Sequence, residues 1–533
     1  MPRQHEDDSS AMHDALIVGS GAGGGALAFA LARAGLRVLV LEKGPRYSRD
    51  DYVHAEGGLR PGDFIPRLDE EPHTVVTRKT TTPVVTHLGW SACCVGGGTV
   101  HMGAYLYRFH PDDFRMRSRF GDRLELADWP HGYAELEPWY SRAEWEVGVA
   151  GAAGSNPFAG PRSRPYPLPP LDAHPVAAAV EEACRRRGLH PFPTPRSINS
   201  RPYQGRPACA YCRDCASYGC PVGARGSAQE ALLPRAEATG RCEVRPRSMV
   251  REVLVEGDRA AGCVYLDEAG REHQVRAKLV CVCCSAIESA RLLLLSKSPR
   301  FPDGLANGSG LVGRHLQFHA VSAGAARFRD DHPTGELLRS PEPFVGRSVM
   351  DHYFLPEGVS EIAKGGLLRF GRAPQVPAAE PAADGARSLY FEVFHDFLPN
   401  PGTFMVLDSE VRDKWGLPVA RIRLDPPDHH RRAGRWLLER GFEIFDDLGA
   451  SELQPTDVGG TSAYLVHGTC RAGDDPATSV LNGFCQAHEV PNLFVVDGSF
   501  MPTSGGAPPT LTILANGLRT AHHIVERFRA GDF

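Results

Sequence analysis

The chain has 533 residues, a formal net charge of -5 at pH 7, 42% hydrophobic and 23% charged residues. That length predicts two intertwined units around a large core, the composition is that of a soluble globular protein, and the weak acidity gives no basic footprint for nucleic acid. The sequence has no apolar run of roughly 18 residues for a membrane span, and no apolar segment ahead of the first predicted strand as a signal peptide requires, so a cytoplasmic location is the expectation. In that setting the 14 cysteines are expected to be reduced or metal-bound rather than paired in disulfides.

Asp14 to Gly44 reads DALIVGSGAGGGALAFALARAGLRVLVLEKG. Leu16, Ile17 and Val18 predict a buried parallel strand, Gly19, Gly21 and Gly24 a Gly-x-Gly-x-x-Gly turn, and Ala26 to Ala34 a helix of small residues able to lie close on a sheet. Val38 to Leu41 predict a second strand that ends in Glu42. Each part has a physical role: glycines let the backbone approach a pyrophosphate, the helix N-terminus stabilises its charge, and the acid accepts hydrogen bonds from a ribose. The candidate dinucleotide-binding residues here are Gly19, Gly21, Ala22, Gly24, Glu42 and Lys43. An acid at the end of the second strand disfavours a 2'-phosphate, which leaves FAD or NAD.

A second glycine cluster, Gly96 to Gly98, follows in VVTHLGWSACCVGGGTVHMGAYLYRFHPDDF. It adds Gly97 and Gly98 as cofactor-binding candidates, because an extended dinucleotide reaches its flavin far from its adenine. Residues 150 to 205 are rich in Pro and Gly and are expected to form a long loop or lid. The run PACAYCRDCASYGCPVGARGS then sets Cys209, Cys212, Cys215 and Cys220 in a C-x2-C-x2-C-x4-C-P spacing. Four thiolates so close suit an iron-sulfur cluster or zinc, and free or disulfide-paired thiols are the alternative.

Residues 242 to 284 alternate apolar and polar side chains and break at Gly257-Asp258 and at Glu268 to Gly270, which predicts a three-stranded meander. Cys281, Cys283 and Cys284 sit in its last apolar run as small core residues, and Cys93 and Cys94 are read as packing residues. SLYFEVFHDFLPN predicts a further sheet strand. Near the C-terminus, a strand from Leu493 to Val496 ends at Asp497-Gly498 and a helix begins around Pro509 and Thr510, offering unpaired amides to a cofactor oxygen. Asp497, Gly498, Pro509 and Thr510 complete the cofactor candidates.

These motifs, together with AIESARLLLLS, VGRHLQFH, DKWGLPVARIR, GTCRAGDDPATSVLN and NLFVVDGSFMPTSGG, make the chain resemble the glucose-methanol-choline oxidoreductases over nearly its whole length. It is most similar to the bacterial gluconate and glucose dehydrogenase branch. The resemblance implies an α/β fold: a Rossmann-like FAD-binding domain built from discontinuous segments (12-115, 225-330 and 455-533), and a substrate-binding domain with an antiparallel sheet (116-224 and 331-454) that carries the Cys-rich loop 209-220. It implies FAD as cofactor, with Val250 where relatives contact adenine through backbone groups. Relatives in this branch carry an iron-sulfur cluster at a Cys-rich loop in this part of the chain, which implies a dehydrogenase passing electrons to a partner.

In that family a His before the Gly-Thr run takes the substrate's hydroxyl proton while hydride goes to flavin N5. Family members usually read His-x-x-Gly-Thr, whereas here Leu465 fills that slot and His467 abuts Gly468. The second family position, an Asn or His before Pro-Thr-Leu-Thr, is Pro508. His467 is therefore the first candidate base through a local shift of its loop, His101 and His319 are others, and altered flavin chemistry in secondary-metabolite tailoring is the remaining reading. The expected activity is FAD-dependent oxidation of an alcohol group of a sugar, polyol or aminosugar, with the flavin reoxidised by oxygen or an electron-acceptor protein. Glu392, Asp396, Asp474 and Asp475 are expected to be solvated surface charges.

Overall fold

A computed structural model of the chain describes residues 12–52, 58–90, 92–212, 215, 217–340, 343–372 and 387–533. Its first sheet has seven strands, in the order Cys242–Arg245, Val38–Leu41, His13–Val18, Glu272–Val282, Arg259–Leu266, Met249–Glu256, with Leu493–Val495 pairing on Glu272–Val282. The 11-residue strand Glu272–Val282 joins two styles of pairing. Its first half closes the predicted antiparallel meander, and its second half, from Ala277 on, runs parallel to His13–Val18. Residues in that half, Leu279 to Val282, are fully enclosed and uniformly apolar, as a strand covered on both faces requires.

Helix Ala22–Arg33 crosses from His13–Val18 to Val38–Leu41 and lies against the C-terminal helix Thr510–Ala530. Small residues set this approach: a Cβ on Gly517 would stand 3.0 Å from the Ala26 Cβ, and one on Gly23 would lie 1.6 Å from the Val496 carbonyl oxygen. Both helix N-termini thus reach the same edge of the sheet.

A second sheet of six antiparallel strands runs Glu452–Thr469, Arg314–Phe328, Arg387–Asp396, Gly366–Arg372, Arg347–Val349, Phe192–Pro193. Helices Val176–Arg186 and His429–Asp447 cover it through a core that includes Val180, Phe370, Phe391, Leu437 and Phe445. The segment expected as a long loop therefore carries a helix and an edge strand. Val176, Ala177, Val180, Ala183 and Cys184 are buried at helical spacing, a pattern hidden by the flanking prolines.

A third sheet was not anticipated. Phe404–Arg412, Pro418–Leu424, His73–Thr77 and Thr80–Thr86 form four strands beside the nucleotide edge, with Pro418–Leu424 parallel to His73–Thr77. Among the described residues no helix is long and apolar enough to cross a membrane.

Candidate active site

A single cavity of about 1460 Å³ runs from the glycine turn of the first sheet to the face of the second. At its nucleotide end the strand Val38–Leu41 delivers Glu42 to the wall. The Glu42 carboxylate accepts hydrogen bonds from the Ser20 amide at 3.0 Å, the Ser20 hydroxyl at 2.7 Å and the Gly44 amide at 3.0 Å. Burial pushes its pKa above the usual range, against the stabilisation those donors give the anion. Lys43 beside it pairs with Glu71 at 2.5 Å and sits 4.2 Å from the centre of the Trp90 ring.

The glycine turn works by close approach. Gly19 has φ +93, and a Cβ there would stand 2.4 Å from the Cys283 carbonyl oxygen; a Cβ on Gly24 would meet the Gly19 oxygen at 2.0 Å. Gly24 thus shapes the turn from behind, whereas Gly19, Gly21 and Ala22 line the cavity. The second glycine loop closes over the first: Gly97 has φ +52, and its Cβ would stand 3.0 Å from the Gly21 Cα. Ser20 ties the two, since its hydroxyl also accepts the Gly96 amide at 3.0 Å. Sequence spacing gave no sign of Ser20, because x positions of the turn are chemically free.

Val250, in strand Met249–Glu256, lines the same end with Ser248 and Met249. Gly97, Gly98, Asp497, Gly498, Pro509 and Thr510 line the middle. The Asp497 side chain accepts from the Ser499 amide at 2.8 Å and from the Ser289 hydroxyl, which holds the turn that starts at Gly498. Ala22 and Thr510 begin their helices at this cavity, so two sets of unpaired amides and two positive dipole ends face it. An elongated cavity with two glycine cradles, a buried acid and two helix N-termini fits a dinucleotide.

Beyond the glycine loop the wall continues through His101, Met102, Gly103, Ala104 and Tyr105. Ala104 holds the left-handed region at φ +61, fixed by the Ser197 amide donating to its carbonyl at 3.0 Å. Such strain in a non-glycine residue is kept where surroundings dictate the backbone, commonly at working sites. The His101 ring stacks on Phe64 at 5.1 Å.

His467 is elsewhere. It is fully enclosed and does not line the cavity; Leu465 and Val466 do. Neither ring nitrogen is hydrogen-bonded among the described residues, and burial alone depresses its pKa to about 3. His319 is its enclosed neighbour, also away from the wall. Leu465 and Pro508, which the sequence resemblance sets at the family's usual catalytic positions, both reach the cavity and present hydrocarbon to it.

At the far end the cavity is lined by Tyr105, Arg196, Phe344, Arg369, Tyr390 and Glu392. Glu392, expected on the surface, faces inward: alternation along Arg387–Asp396 turns it to the cavity, where the Arg369 Nε donates to it at 2.5 Å. Asp396 is also not a surface charge. It is enclosed with Lys364, whose Nζ lies 2.6 Å from Asp113 and 3.3 Å from Asp396. Burial pushes the Asp396 pKa up, with the ammonium opposing it. Asp396 accepts the Ser504 hydroxyl at 2.9 Å, and Tyr353 links Asp113 to the Gly506 amide at 2.6 and 3.0 Å. This buried network holds the turn that carries Pro508. Asp474 and Asp475 are exposed, as expected.

Cys209, Cys215 and Cys220 form no disulfide among the described residues, and burial pushes the Cys209 thiol up to about 12. Among the described residues no group of three or more His, Cys, Asp or Glu is arranged to hold a metal ion. The iron-sulfur and zinc expectations thus find no support: a loop that spaces four cysteines suitably still has to converge their sulfurs on one point. Cys93, Cys283 and Cys284 line the nucleotide end, where burial raises each thiol, in keeping with packing roles.

Family models agree with this geometry. Residues 86–321 and 399–517 match models described as GMC oxidoreductase, and residues 17–80 match an NAD(P)-binding Rossmann-like domain. Paromamine 6'-oxidase of Streptomyces fradiae is 35% identical, spanning 98% of this chain and 92% of its own. 6'''-hydroxyparomomycin C oxidase of Streptomyces lividus is 33% identical, over 97% and 92%. The crystal structure of pyridoxine 4-oxidase from Mesorbium loti shares the fold, with TM-score 0.65, 22% identity and coverage of 96% and 99%. The chain belongs to the GMC oxidoreductase family and is an FAD-dependent oxidoreductase acting on the CH-OH group of a polar alcohol.

Proposed function

We propose that the enzyme dehydrogenates a hydroxyl group of a sugar, polyol or aminosugar held at the Tyr105–Glu392 end of the cavity. The observation that carries this reading is continuity: one cavity joins the dinucleotide cradle to an end rich in hydrogen-bonding side chains. The names of the two Streptomyces relatives, both oxidases of aminosugar compounds, support the substrate class. The segments that supply the cradle, within 12-115, 225-330 and 455-533, are assigned to cofactor binding, and 116-224 with 331-454 to the substrate.

Oxidation breaks the O–H and C–H bonds of the alcohol and forms C=O, so the chain must accept one proton where a hydride departs. FAD, when bound, supplies the hydride acceptor. We assign the proton to His101, the imidazole that lines the cavity among the described residues. His467, enclosed and held neutral, is the alternative; it meets substrate only if the Leu465–Val466 segment turns. Backbone amides at Thr510 and Gly98 orient the reacting end, and the Lys364 network keeps their turn in place. Electrons leave to oxygen or to an acceptor protein, which peroxide formation distinguishes. A cytoplasmic setting, where the chain's 14 cysteines would stay reduced, belongs to this reading.

A second reading, altered flavin chemistry in secondary metabolism, is favoured by Leu465 and Pro508 on the cavity wall. Anaerobic mixing with a panel of sugars, polyols and aminosugars separates them. Bleaching of the flavin by one of these alcohols supports oxidation, and a flavin left oxidised by all of them supports the second reading.

A further inference from the structure

Thr99, Val100 and His101, at the end of the second glycine loop, are each gripped from the chain between Ser217 and Ala228. The Thr99 hydroxyl accepts the Ala228 amide at 2.9 Å, the Val100 carbonyl accepts Nη1 of Arg225, and the His101 carbonyl accepts the Ser217 amide at 2.7 Å. Arg225 is the centre of this grip. Its Nη1 also donates to the Tyr218 carbonyl at 2.6 Å, and its Nη2 donates to the Cys215 carbonyl. One guanidinium thus joins the turn that ends at His101 to the segment that carries Cys215 and Tyr218. His101, Cys215, Ser217 and Tyr218 all line the cavity, and Arg225 itself does not.

The arm has a fixed base. Arg225 is only 1% exposed and forms a backbone bridge with Ile198, while the next residue, Gly226, donates its amide to the Ser197 carbonyl at 2.7 Å. A Cβ on Gly226 would stand 2.0 Å from the Val147 carbonyl oxygen, so the chain here packs directly on the end of helix Tyr133–Val147. A planar group with donors on both terminal nitrogens reaches diverging carbonyls at once, which the single ammonium of a lysine does less well. Phe64 completes the setting: its enclosed ring stacks on the His101 imidazole at 5.1 Å, with 8° between the planes.

We infer that Arg225 is a positioning residue, which holds the His101 imidazole at the cavity wall for proton transfer without touching substrate. The inference rests on the reading that His101 takes the proton. Proton transfer needs heavy atoms about 3 Å apart, and a misplacement of about 1 Å can cost a hundredfold in rate.

The first measurement needs no substrate. Diethyl pyrocarbonate acylates accessible neutral imidazole, and mass spectrometry of the labelled holoenzyme follows the His101 peptide against exposed His522 as control. In Arg225→Met the His101 rate is expected to rise about threefold or more relative to His522, because a turn that has lost its brace opens more often. Arg225→Lys, which keeps part of the grip and serves where the Met variant fails to fold, is expected to show a smaller rise. The second measurement is anaerobic flavin reduction by the sugar, polyol and aminosugar panel. Arg225→Met is expected to slow the limiting rate by about tenfold to a hundredfold at little change in half-saturating alcohol, with Arg225→Lys in between. His101→Ala combined with Arg225→Met is expected to stay within about twofold of His101→Ala alone, since Arg225 acts through the imidazole. A His101 labelling rate unmoved by both Arg225 variants, or losses that multiply in the double variant, overturns the inference alone. Unchanged reduction in His101→Ala, or a flavin that no alcohol of the panel bleaches, brings down the base reading and the inference with it.

Discussion

The imidazoles of His467 and His319 meet edge to face with ring centroids 5.5 Å apart, both fully enclosed and neither hydrogen-bonded through a ring nitrogen among the described residues. Two neutral imidazoles in such a place contribute packing, and protonating either would bury a charge without a partner.

Acid should therefore destabilise the protein through its histidines. Burial holds His131, His315 and His467 at about 3, against 6.5 for a free imidazole. Between those values the unfolded chain binds protons that the folded protein does not, so stability falls as pH drops through this window and is flat above it. Each group is expected to remove about 2 kcal/mol by pH 5. Denaturant titrations of the holoenzyme from pH 7.5 to 5 measure this, and constant stability across that range contradicts it.

The two candidate bases separate by access. His101→Ala is expected to slow anaerobic flavin reduction by about a hundredfold or more, the usual scale of a lost general base. His467→Ala is expected to change that rate little and to lower stability instead. The reverse pattern in stopped-flow measurements moves the base to His467.

Leu465 and Pro508 stand on the cavity wall, at the positions where the family resemblance implies polar groups. Leu465→His together with Pro508→Asn should accelerate flavin reduction by alcohols several-fold if the wall there touches the reacting hydroxyl. An unchanged or lower rate, with flavin content intact, shows that the hydroxyl lies elsewhere.

Cofactor retention should depend on the buried acid and on the closeness of the glycine loops. Glu42→Ala leaves Ser20 and Gly44 without their shared acceptor, and Gly97→Val forces a side chain against Gly21. Both variants are expected to purify with less FAD, seen as a lower ratio of flavin to protein absorbance. Full occupancy in both would remove these residues from the cofactor site.

The nucleotide cradle was legible because its demands are local. Gly19, Gly21, Gly24 and Glu42 act through backbone shape and a fixed spacing, so the single stretch from Asp14 to Gly44 contains the argument. The far end was not, for the opposite reason. Arg196 comes from a loop, Arg369 and Glu392 from neighbouring strands of the second sheet, and only antiparallel pairing of Gly366–Arg372 with Arg387–Asp396 brings them to Tyr105. The helix Val176–Arg186 was masked by the prolines around it. The short Thr-rich strands of the third sheet, His73–Thr77 and Thr80–Thr86, carry too little apolar alternation to declare themselves. The Cys209 run left metal and thiol readings open, because spacing in sequence says nothing of where sulfurs point.

Lys364 holds two buried carboxylates together, Asp113 and Asp396. Lys364→Met should cost about 3 to 5 kcal/mol, the scale for removing one partner of a buried ion pair. Chemical denaturation measures it, and a loss below about 1 kcal/mol would mean that the network is not needed to hold the Pro508 turn.

The most direct test of the whole account is the visible absorbance of the anaerobic holoenzyme on addition of sugars, polyols, sugar acids and aminosugars. Loss of the oxidised flavin bands with one of these alcohols, with a carbonyl product formed in equal amount, is the predicted result. A flavin that remains oxidised with every one of them contradicts oxidation of a polar alcohol at this site.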